Sequence, residues 1–314
     1  MQRFYLLFKR SFFMFLIAAL LLSCTSRSTE HDIAKDQLRG QVKFYKQSCY
    51  TAEQHSNKVV KGRLRVNYPG DHHQTFYNPK GNRTEYIQYD SRDNPNTTIS
   101  YTYDPKGNKV QEQYCKEEGE CIIYTYSFDS EGNLSKTYES LGQEKKLLVA
   151  SYTYDKANNL IVYSEHNASG GVYRKETYSY DDRGNKTKSI RYQPNGRVDQ
   201  IKTFQYDSIG NNTRTELYYK EDQLEERYDY QYDKAGKVKI YIRYAGDFSL
   251  ITKFYYTRDD QGNPLTETRY YTDTKLRQKF SYSYQYDSSG NWIHKTVYRN
   301  DTPEFIYQRA YTYY

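Results

Sequence analysis

The chain has 314 residues and a formal net charge of +7, and 40 of its residues are tyrosine. Leu, Ile, Val and Phe together stay below the level of roughly 20% that usually indicates disorder, but each aromatic ring can bury about 150–250 Å2, so the tyrosines supply the missing apolar area. Lys, Arg, Asp and Glu alternate without a run of one sign. Because nucleic-acid binding needs a concentrated basic stripe, this pattern excludes nucleic acid as a partner.

A leader segment is predicted for residues 1–23. It has three basic residues among its first ten, and its apolar run from Ser11 to Leu22 is too short to span a bilayer as a helix. The run ends in Leu21-Leu22-Ser23-Cys24, which resembles the lipobox of bacterial lipoproteins. This resemblance implies cleavage before Cys24 and attachment of the mature chain to a membrane through N-terminal acyl chains.

Two predicted segments follow the leader. By analogy with sorting in Gram-negative bacteria, the non-acidic Thr25 favours the outer membrane, with the leaflet left open. Residues 24–36 are polar and lack apolar periodicity, so we expect a flexible, lipidated tether. In residues 37–73 apolar residues such as Val42 and Phe44 alternate with charged ones, which predicts an N-terminal capping β unit that pairs with the first repeat.

Residues 74–314 form a repeat array, built on a phrase read most clearly as Tyr101-Thr102-Tyr103-Asp104-Pro105-Lys106-Gly107-Asn108. The glycine recurs at steps of 25 to 28 residues, mostly 26, with an acid three residues before it. This spacing is typical of a type I turn, in which the Asp side chain accepts backbone hydrogen bonds and Gly adopts positive φ. The predicted turn pairs are Asp104 and Gly107, Asp129 and Gly132, Asp181 and Gly184, Asp207 and Gly210, Asp233 and Gly236, Asp259 and Gly262, and Asp287 and Gly290.

Aromatic residues precede each turn at positions −6 and −4 from the Gly, as in Tyr178 and Tyr180, with a small or polar residue between them. This period of two predicts a strand with one aromatic face. In one repeat Tyr256 holds position −6, but Arg258 replaces the aromatic residue at position −4. The fold class is therefore all-β, an antiparallel meander of about nine 26-residue β-hairpin repeats. Because open sheets rarely exceed about ten strands without curling, we expect an open spiral, trough or partial barrel with the tyrosines on its concave face.

The Tyr-x-Tyr-Asp-x-x-Gly phrase resembles the YD repeats of Rhs and teneurin-type proteins, and the whole chain resembles a bacterial YD-repeat lipoprotein. The resemblance covers roughly three quarters of the chain, and it implies a β-sheet spiral or shell. The residue after Gly is mostly Asn here, where the usual YD phrase often has Arg. The array is also short and no recognisable toxin segment follows it, so a toxin-delivery role is not carried over.

The remaining cysteines and histidines offer little catalytic chemistry. Cys115 and Cys121 flank a short loop between two strands, a spacing compatible with a cross-hairpin disulfide in an exported chain, and Cys49 is left without a partner. No His-Glu-x-x-His, GxSxG or phosphate-loop motif occurs. One acid and one Asn per turn fall short of the six to eight oxygens that calcium takes. We predict no cofactor, no metal site and no enzyme activity.

Three functional hypotheses remain open at this point. The first is a lipid-anchored, non-enzymatic structural or binding scaffold of the cell envelope, with an envelope protein or glycan as its partner. The second is a surface adhesin that binds glycans through exposed tyrosines, with Trp292, Tyr284 and Tyr286 as the candidate ligand surface. The third is an envelope enzyme with a site near the 37–73 junction, which requires His72, His73 and an acid to converge in one pocket.

Overall fold

Alternation of aromatic and polar residues dominates the chain, and strands accordingly dominate the structure. The computed structural model describes residues 31–68, 70–117, 119–219 and 222–314. Within these ranges one short helix, α1, spans Asp32–Lys35. The strands are β1 (Val42–His55), β2 (Lys58–Arg65), β3 (His72–Tyr77), β4 (Arg83–Tyr89), β5 (Pro95–Tyr103), β6 (Lys109–Lys116), β7 (Ile122–Phe128), β8 (Leu134–Leu141), β9 (Leu147–Tyr154), β10 (Leu160–His166), β11 (Val172–Tyr180), β12 (Lys186–Tyr192), β13 (Val198–Tyr206), β14 (Asn212–Tyr219), β15 (Gln223–Tyr232), β16 (Val238–Ala245), β17 (Leu250–Arg258), β18 (Pro264–Tyr271), β19 (Leu276–Tyr286), β20 (Trp292–Arg299) and β21 (Thr302–Tyr313). None of the described helical residues belongs to a helix long and apolar enough to cross a membrane.

The strands form an antiparallel meander that closes into a barrel. Along one edge β1 pairs with β21, with Gln47 opposite Arg309, and along its other edge it pairs with β3, with Gln47 opposite His73. Twenty strands, β1 and β3 to β21, therefore form a ring, while β2 pairs with the far end of β1. The predicted all-β antiparallel meander is confirmed, and the predicted open spiral, trough or partial barrel is wrong.

Closure of the barrel removes two exposed sheet edges. An open meander would present a row of unpaired backbone N–H and C=O groups on its first and last strands. Here β21 pairs with β1 from Val42 to Thr51 and satisfies both rows. The terminal strand is therefore the closing seam of the barrel, where the sequence alone indicated only a last strand of the array.

Each Asp-x-x-Gly phrase forms a tight turn, and all of these turns lie at one end of the barrel, here called the turn end. In the turn between β5 and β6 the Gly107 N–H donates to the Asp104 carbonyl at 3.0 Å, and Gly107 has a φ of +87°. The side-chain amide and the N–H of Asn108 donate to the Asp104 carboxylate at 2.9 and 2.8 Å, and these bonds lower the pKa of Asp104. The same glycine-to-carbonyl bond closes the turns at Asp129–Gly132, Asp181–Gly184, Asp207–Gly210, Asp233–Gly236, Asp259–Gly262 and Asp287–Gly290.

The residue four positions before the Gly, here called the brace position, ties its strand to the preceding one in six repeats. Its tyrosine hydroxyl donates to the backbone carbonyl twenty residues earlier, as from Tyr103 to Arg83 (2.7 Å), Tyr154 to Leu134 (3.0 Å), Tyr180 to Leu160 (2.7 Å), Tyr206 to Lys186 (2.8 Å) and Tyr232 to Asn212 (2.6 Å). Arg258, which interrupts the aromatic pattern, makes the equivalent bond from Nη1 to the Val238 carbonyl at 2.7 Å. In these six repeats the brace is a long side chain with a terminal donor, and an aromatic ring is one way to supply it. Phe128 has no donor at this position, and Tyr286 donates to Asp259 instead.

The tyrosine-bearing face forms the inner wall of the barrel. Rings at positions −6 and −4 are half-buried, whereas the residue between them is exposed at Thr102, Thr153 and Gln205. On the concave side of a closed sheet, side chains converge and shield one another, so the less exposed face is the inner one. A twenty-stranded barrel is wider than the eight-stranded barrels that side chains can fill, which explains why these rings are half-buried and not fully buried.

The outer wall of the barrel is polar. Lys136 and Lys175 are exposed on it, and Arg214 pairs across strands with Asp229 at 2.9 Å. Side chains of this kind are hydrated at little cost, so the outer wall suits contact with water.

Residues 31–41, here called the N-terminal strap, cross the turn end of the barrel from the first turn to the last. The Ile33 N–H donates to the Gly81 carbonyl at 2.9 Å, and the Arg39 N–H donates to the Asn291 side-chain oxygen at 2.8 Å. Residues 31–36 fall within the segment predicted as a flexible tether. Contact between the N-terminal region and the barrel therefore begins before the predicted boundary at residue 37.

Two strap carboxylates fix it to the inner wall. Asp32 accepts hydrogen bonds from the Arg83 N–H at 2.9 Å and from the Tyr103 hydroxyl at 2.8 Å. Asp36 accepts a hydrogen bond from the Tyr77 hydroxyl and pairs with the Arg83 guanidinium at 2.6 Å. Charge-assisted hydrogen bonds are stronger than those between neutral groups. These contacts therefore hold the strap firmly against the turn end of the barrel.

Candidate functional site

A cavity of about 400 Å3 lies at the turn end, between the strap and the inner wall of β18 to β21. The strap contributes residues 36–39 to its lining. The barrel contributes four aromatic rings and two cations, and these are Tyr282, Tyr284, Trp292, Tyr311, Lys295 and Arg309. A volume of this size, with aromatic walls and a few polar groups, is typical of a site for a small organic ligand.

The last turn of the array holds the strap beside this cavity. In the other turns the Asn after Gly donates its side-chain amide to the turn Asp, but Asn291 donates to the Arg39 carbonyl and the Tyr313 hydroxyl, both at 2.8 Å. The Tyr313 hydroxyl in turn donates to the Asp287 carboxylate. One change of hydrogen-bond partner thus converts a repeated turn into the anchor of the strap.

Aromatic rings and cations alternate on the cavity wall. The Trp292 ring meets Tyr284 edge-on, with centroids 6.5 Å apart. The Arg309 guanidinium lies 3.8 Å from the Trp292 centroid, and Lys295 Nζ lies 5.0 Å from it and 4.1 Å from the Tyr307 centroid. These cation–π contacts restrain the Trp292 ring, so its position is set before any ligand arrives.

Burial changes the pKa of one of the two barrel cations that line the cavity. Desolvation, with a further contribution from the positive charge of Arg309, lowers the pKa of Lys295 to about 8. Lys295 is therefore mostly cationic at neutral pH despite its surroundings. Arg309 donates from Nε to the Gln47 side-chain oxygen at 2.8 Å and from Nη1 to the Tyr311 hydroxyl at 3.3 Å. Both of these partners are neutral.

The predicted ligand surface is partly brought together. Trp292 and Tyr284 line the cavity, but Tyr286 does not, because its hydroxyl donates to Asp259 in the neighbouring turn at 2.6 Å. Sequence reasoning missed Lys295 and Arg309. A signal for Lys295 does exist, since the position five residues after the turn Gly faces the inner wall and holds a lysine only in the last repeat.

The cysteines occupy separate places. Cys115 and Cys121 form a disulfide that links β6 to the start of β7, as their spacing allows. Cys49 is a buried free thiol whose pKa is raised to about 11 by burial. Cys24, the predicted lipidation site, and the predicted leader of residues 1–23 lie outside the described residues.

The adjacent histidines His72 and His73 point to opposite faces of β3 and do not share a site. His72 contacts Ser48 (3.1 Å) and Asp93 (2.8 Å) on the outer wall. His73 faces inward beside Tyr45, and burial lowers the pKa of His73 to about 4, so it is neutral at physiological pH. The convergence that the hypothesis of an enzyme at the 37–73 junction requires is therefore not met.

Metal-binding groups are not assembled within the described ranges, where no cluster of three His, Cys, Asp or Glu side chains could hold an ion. In the turns, both carboxylate oxygens of Asp104, Asp181 and Asp207 already accept N–H donors from within the turn. Turn formation alone accounts for the repeated acids.

No protein-family model matches this chain, and neither does any curated protein sequence. Among solved structures, it is similar to a porin-like protein from Bacteroides uniformis, with a TM-score of 0.33, 10% identity, and coverage of 86% of this chain and 98% of that one. A porin-like protein from Bacteroides vulgatus gives a TM-score of 0.30 at 10% identity and the same coverage. TcdB2-TccC3 gives a TM-score of 0.27 at 13% identity, and the match covers 81% of this chain but only 19% of that chain. Scores this low carry no conclusion about function, and membership of the YD-repeat family stays a prediction.

Proposed function

We propose that this chain is a lipid-anchored, non-enzymatic binding protein of the bacterial cell envelope, and that its turn-end cavity holds one or two rings of a glycan. The barrel acts as a rigid scaffold, and the cavity is where it engages its partner. The observation that carries the proposal is the placement of Trp292 and Tyr284 on the wall of a cavity of about 400 Å3. Flat aromatic rings offer an apolar surface to the C–H face of a sugar, and nearby donors bind its hydroxyl groups.

The rigidity of the site favours binding. The Trp292 ring contacts two cations, and Tyr311 donates a hydrogen bond from its hydroxyl to the Trp292 carbonyl at 3.1 Å. A wall fixed before the ligand arrives loses little conformational entropy on binding.

Attachment to the envelope rests on the lipobox at Cys24, whose acyl chains would hold the protein at the outer membrane. Six residues lie between Cys24 and His31, where the strap begins, and a fully extended chain covers at most about 25 Å over those seven residue steps. The turn end and its cavity would therefore lie close to the bilayer. Incorporation of a labelled fatty acid tests the anchor. Wild type should take up the label and Cys24→Ala should not, and equal labelling of both would contradict the proposal.

A glycan array probed with the full chain tests the ligand class. We expect binding to a restricted set of glycans, and Trp292→Ala should weaken it about tenfold or more because stacking on the ring is lost. Tyr255→Ala is the matched control. Tyr255 is an exposed tyrosine on the outer wall, so its removal should leave glycan binding unchanged. Failure of wild type to bind any glycan would contradict the proposed function, as would equal binding by Trp292→Ala.

A further inference from the structure

Several cations on the inner wall of the barrel have a carboxylate partner. Lys109 pairs with Glu112 at 2.8 Å, Arg174 lies 3.4 Å from Glu165, and Arg269 pairs with Glu267 at 2.6 Å. Each of these cations has a carboxylate close by, on its own strand or the next. This pairing offsets part of the cost of removing the charges from water.

The cations of the cavity depart from this pairing. Among the residues that the structure describes, Lys295 has the cation Arg309 and the thiol of Cys49 as its titratable neighbours, and the raised pKa of Cys49 keeps that thiol neutral at physiological pH. Arg309 binds the neutral groups of Gln47 and Tyr311. Arg39 adds a third cation to the lining from the strap. The only carboxylate in the lining, Asp36, is already bound by Arg83. The cavity therefore holds an excess of positive charge without a counter-ion.

Uncompensated buried cations are costly, and an anion that binds beside them recovers part of that cost. Lys295 and Arg309 both lie close to the Trp292 ring, at 5.0 and 3.8 Å from its centroid. A ligand whose ring stacks in the cavity would thus place a substituent on that ring within reach of both cations. A neutral sugar would leave the positive charges of Lys295 and Arg309 without a counter-charge.

We propose that the ligand of the cavity is an acidic sugar, a pyranose that carries a carboxylate or sulfate group, with its ring against Trp292 and its anionic group between Lys295 and Arg309. This inference rests on the proposed function, because it names the class of glycan that the same cavity takes. It also gives the unpaired cations a role that the fold does not require of them.

Calorimetric titration of the full chain with two disaccharides tests the inference. One disaccharide contains glucuronic acid, and the other has glucose at the same place. We expect the acidic disaccharide to bind at least tenfold more tightly, as a charge-assisted hydrogen bond predicts. Lys295→Met, which keeps the length of the side chain and removes its charge, should remove about tenfold of that preference, measured as the ratio of the two affinities within the same variant. A melting curve checks that this variant is folded.

The outcomes separate the two proposals. If both disaccharides bind wild type equally, glycan binding stands and the acidic preference is overturned. If neither binds and the array is also negative, the proposed function fails and this inference fails with it. If Lys295→Met does not fold, a salt titration of wild type tests the acidic preference instead. Added chloride must weaken the acidic disaccharide and spare the neutral one, and equal weakening of both would refute the inference.

Discussion

Alkaline pH should unfold this barrel in a single cooperative step. Burial raises the pKa of Tyr86, Tyr101 and Tyr311 to about 12 in the folded chain, and it raises the pKa of Tyr126 and Tyr163 as well. In the unfolded chain a tyrosine titrates near pH 10. The unfolded state therefore releases protons first as the pH rises, so the stability that these groups contribute is intact below pH 10 and is lost above it.

The loss is comparable to the whole stability of an ordinary domain. One pH unit above the unfolded pKa, each of these five tyrosines costs about 1.4 kcal/mol, or roughly 7 kcal/mol together, against a typical total of 5–15 kcal/mol. Lys295 acts in the opposite sense. Its pKa is lowered from 10.5 to about 8, so it adds stability across that interval, by at most about 3 kcal/mol. We expect a midpoint of unfolding between about pH 10 and 11.5.

The assay records tyrosinate absorbance and far-ultraviolet circular dichroism on the same samples across the pH range. If the reasoning is right, most tyrosinate absorbance appears together with the loss of the β-sheet signal. A gradual tyrosine titration centred near pH 10, with the β-sheet signal retained, would refute it. That result would mean that the inner-wall hydroxyls are hydrated.

Four variants test individual structural features of the fold by urea denaturation. Tyr206→Phe removes one brace hydrogen bond and should cost about 1 kcal/mol, and no loss would show that the brace is incidental. Gly107→Ala should cost about 1 kcal/mol for its positive φ alone, whereas Gly81→Ala should cost more, because its new Cβ would meet a strap side chain at 2.6 Å. Equal costs would show that the strap does not bear on the first turn. Replacing Cys115 and Cys121 together by Ser should cost about 2 kcal/mol through loop closure, and an unchanged midpoint would argue that the disulfide constrains nothing.

The repeating part of the fold could be predicted from the sequence, because each repeat carries local signals. Asp104 and Gly107 specify a turn by their own chemistry, and the pair Tyr178 and Tyr180 specifies a strand face by its period. Arg258 interrupts the aromatic pattern of the sequence. It keeps the brace hydrogen bond because its guanidinium reaches the same carbonyl, and this equivalence depends on side-chain length, which a hydropathy pattern does not record.

Closure of the barrel and assembly of the cavity could not be predicted, because they join segments that are distant in sequence. Gln47 meets Arg309 across the seam between β1 and β21, and neither segment carries the turn phrase that marks a hairpin. The strap residue Arg39 binds Asn291, 252 residues away. Lys295 is a partial exception, since its place on the inner wall follows from the repeat, but its lack of a carboxylate partner follows only from the fold.

The central claim is that the cavity beside Trp292 binds an acidic sugar, and this residue offers the most direct measurement. The chain contains one tryptophan, so tryptophan fluorescence from the full chain reports on the cavity wall alone. Titration with the disaccharide that contains glucuronic acid should give a saturable change in intensity or wavelength, and the glucose disaccharide should give a change only at much higher concentration. An acidic glycan that binds the chain on the array but leaves the tryptophan signal unchanged at saturation would place the binding site elsewhere and contradict the claim.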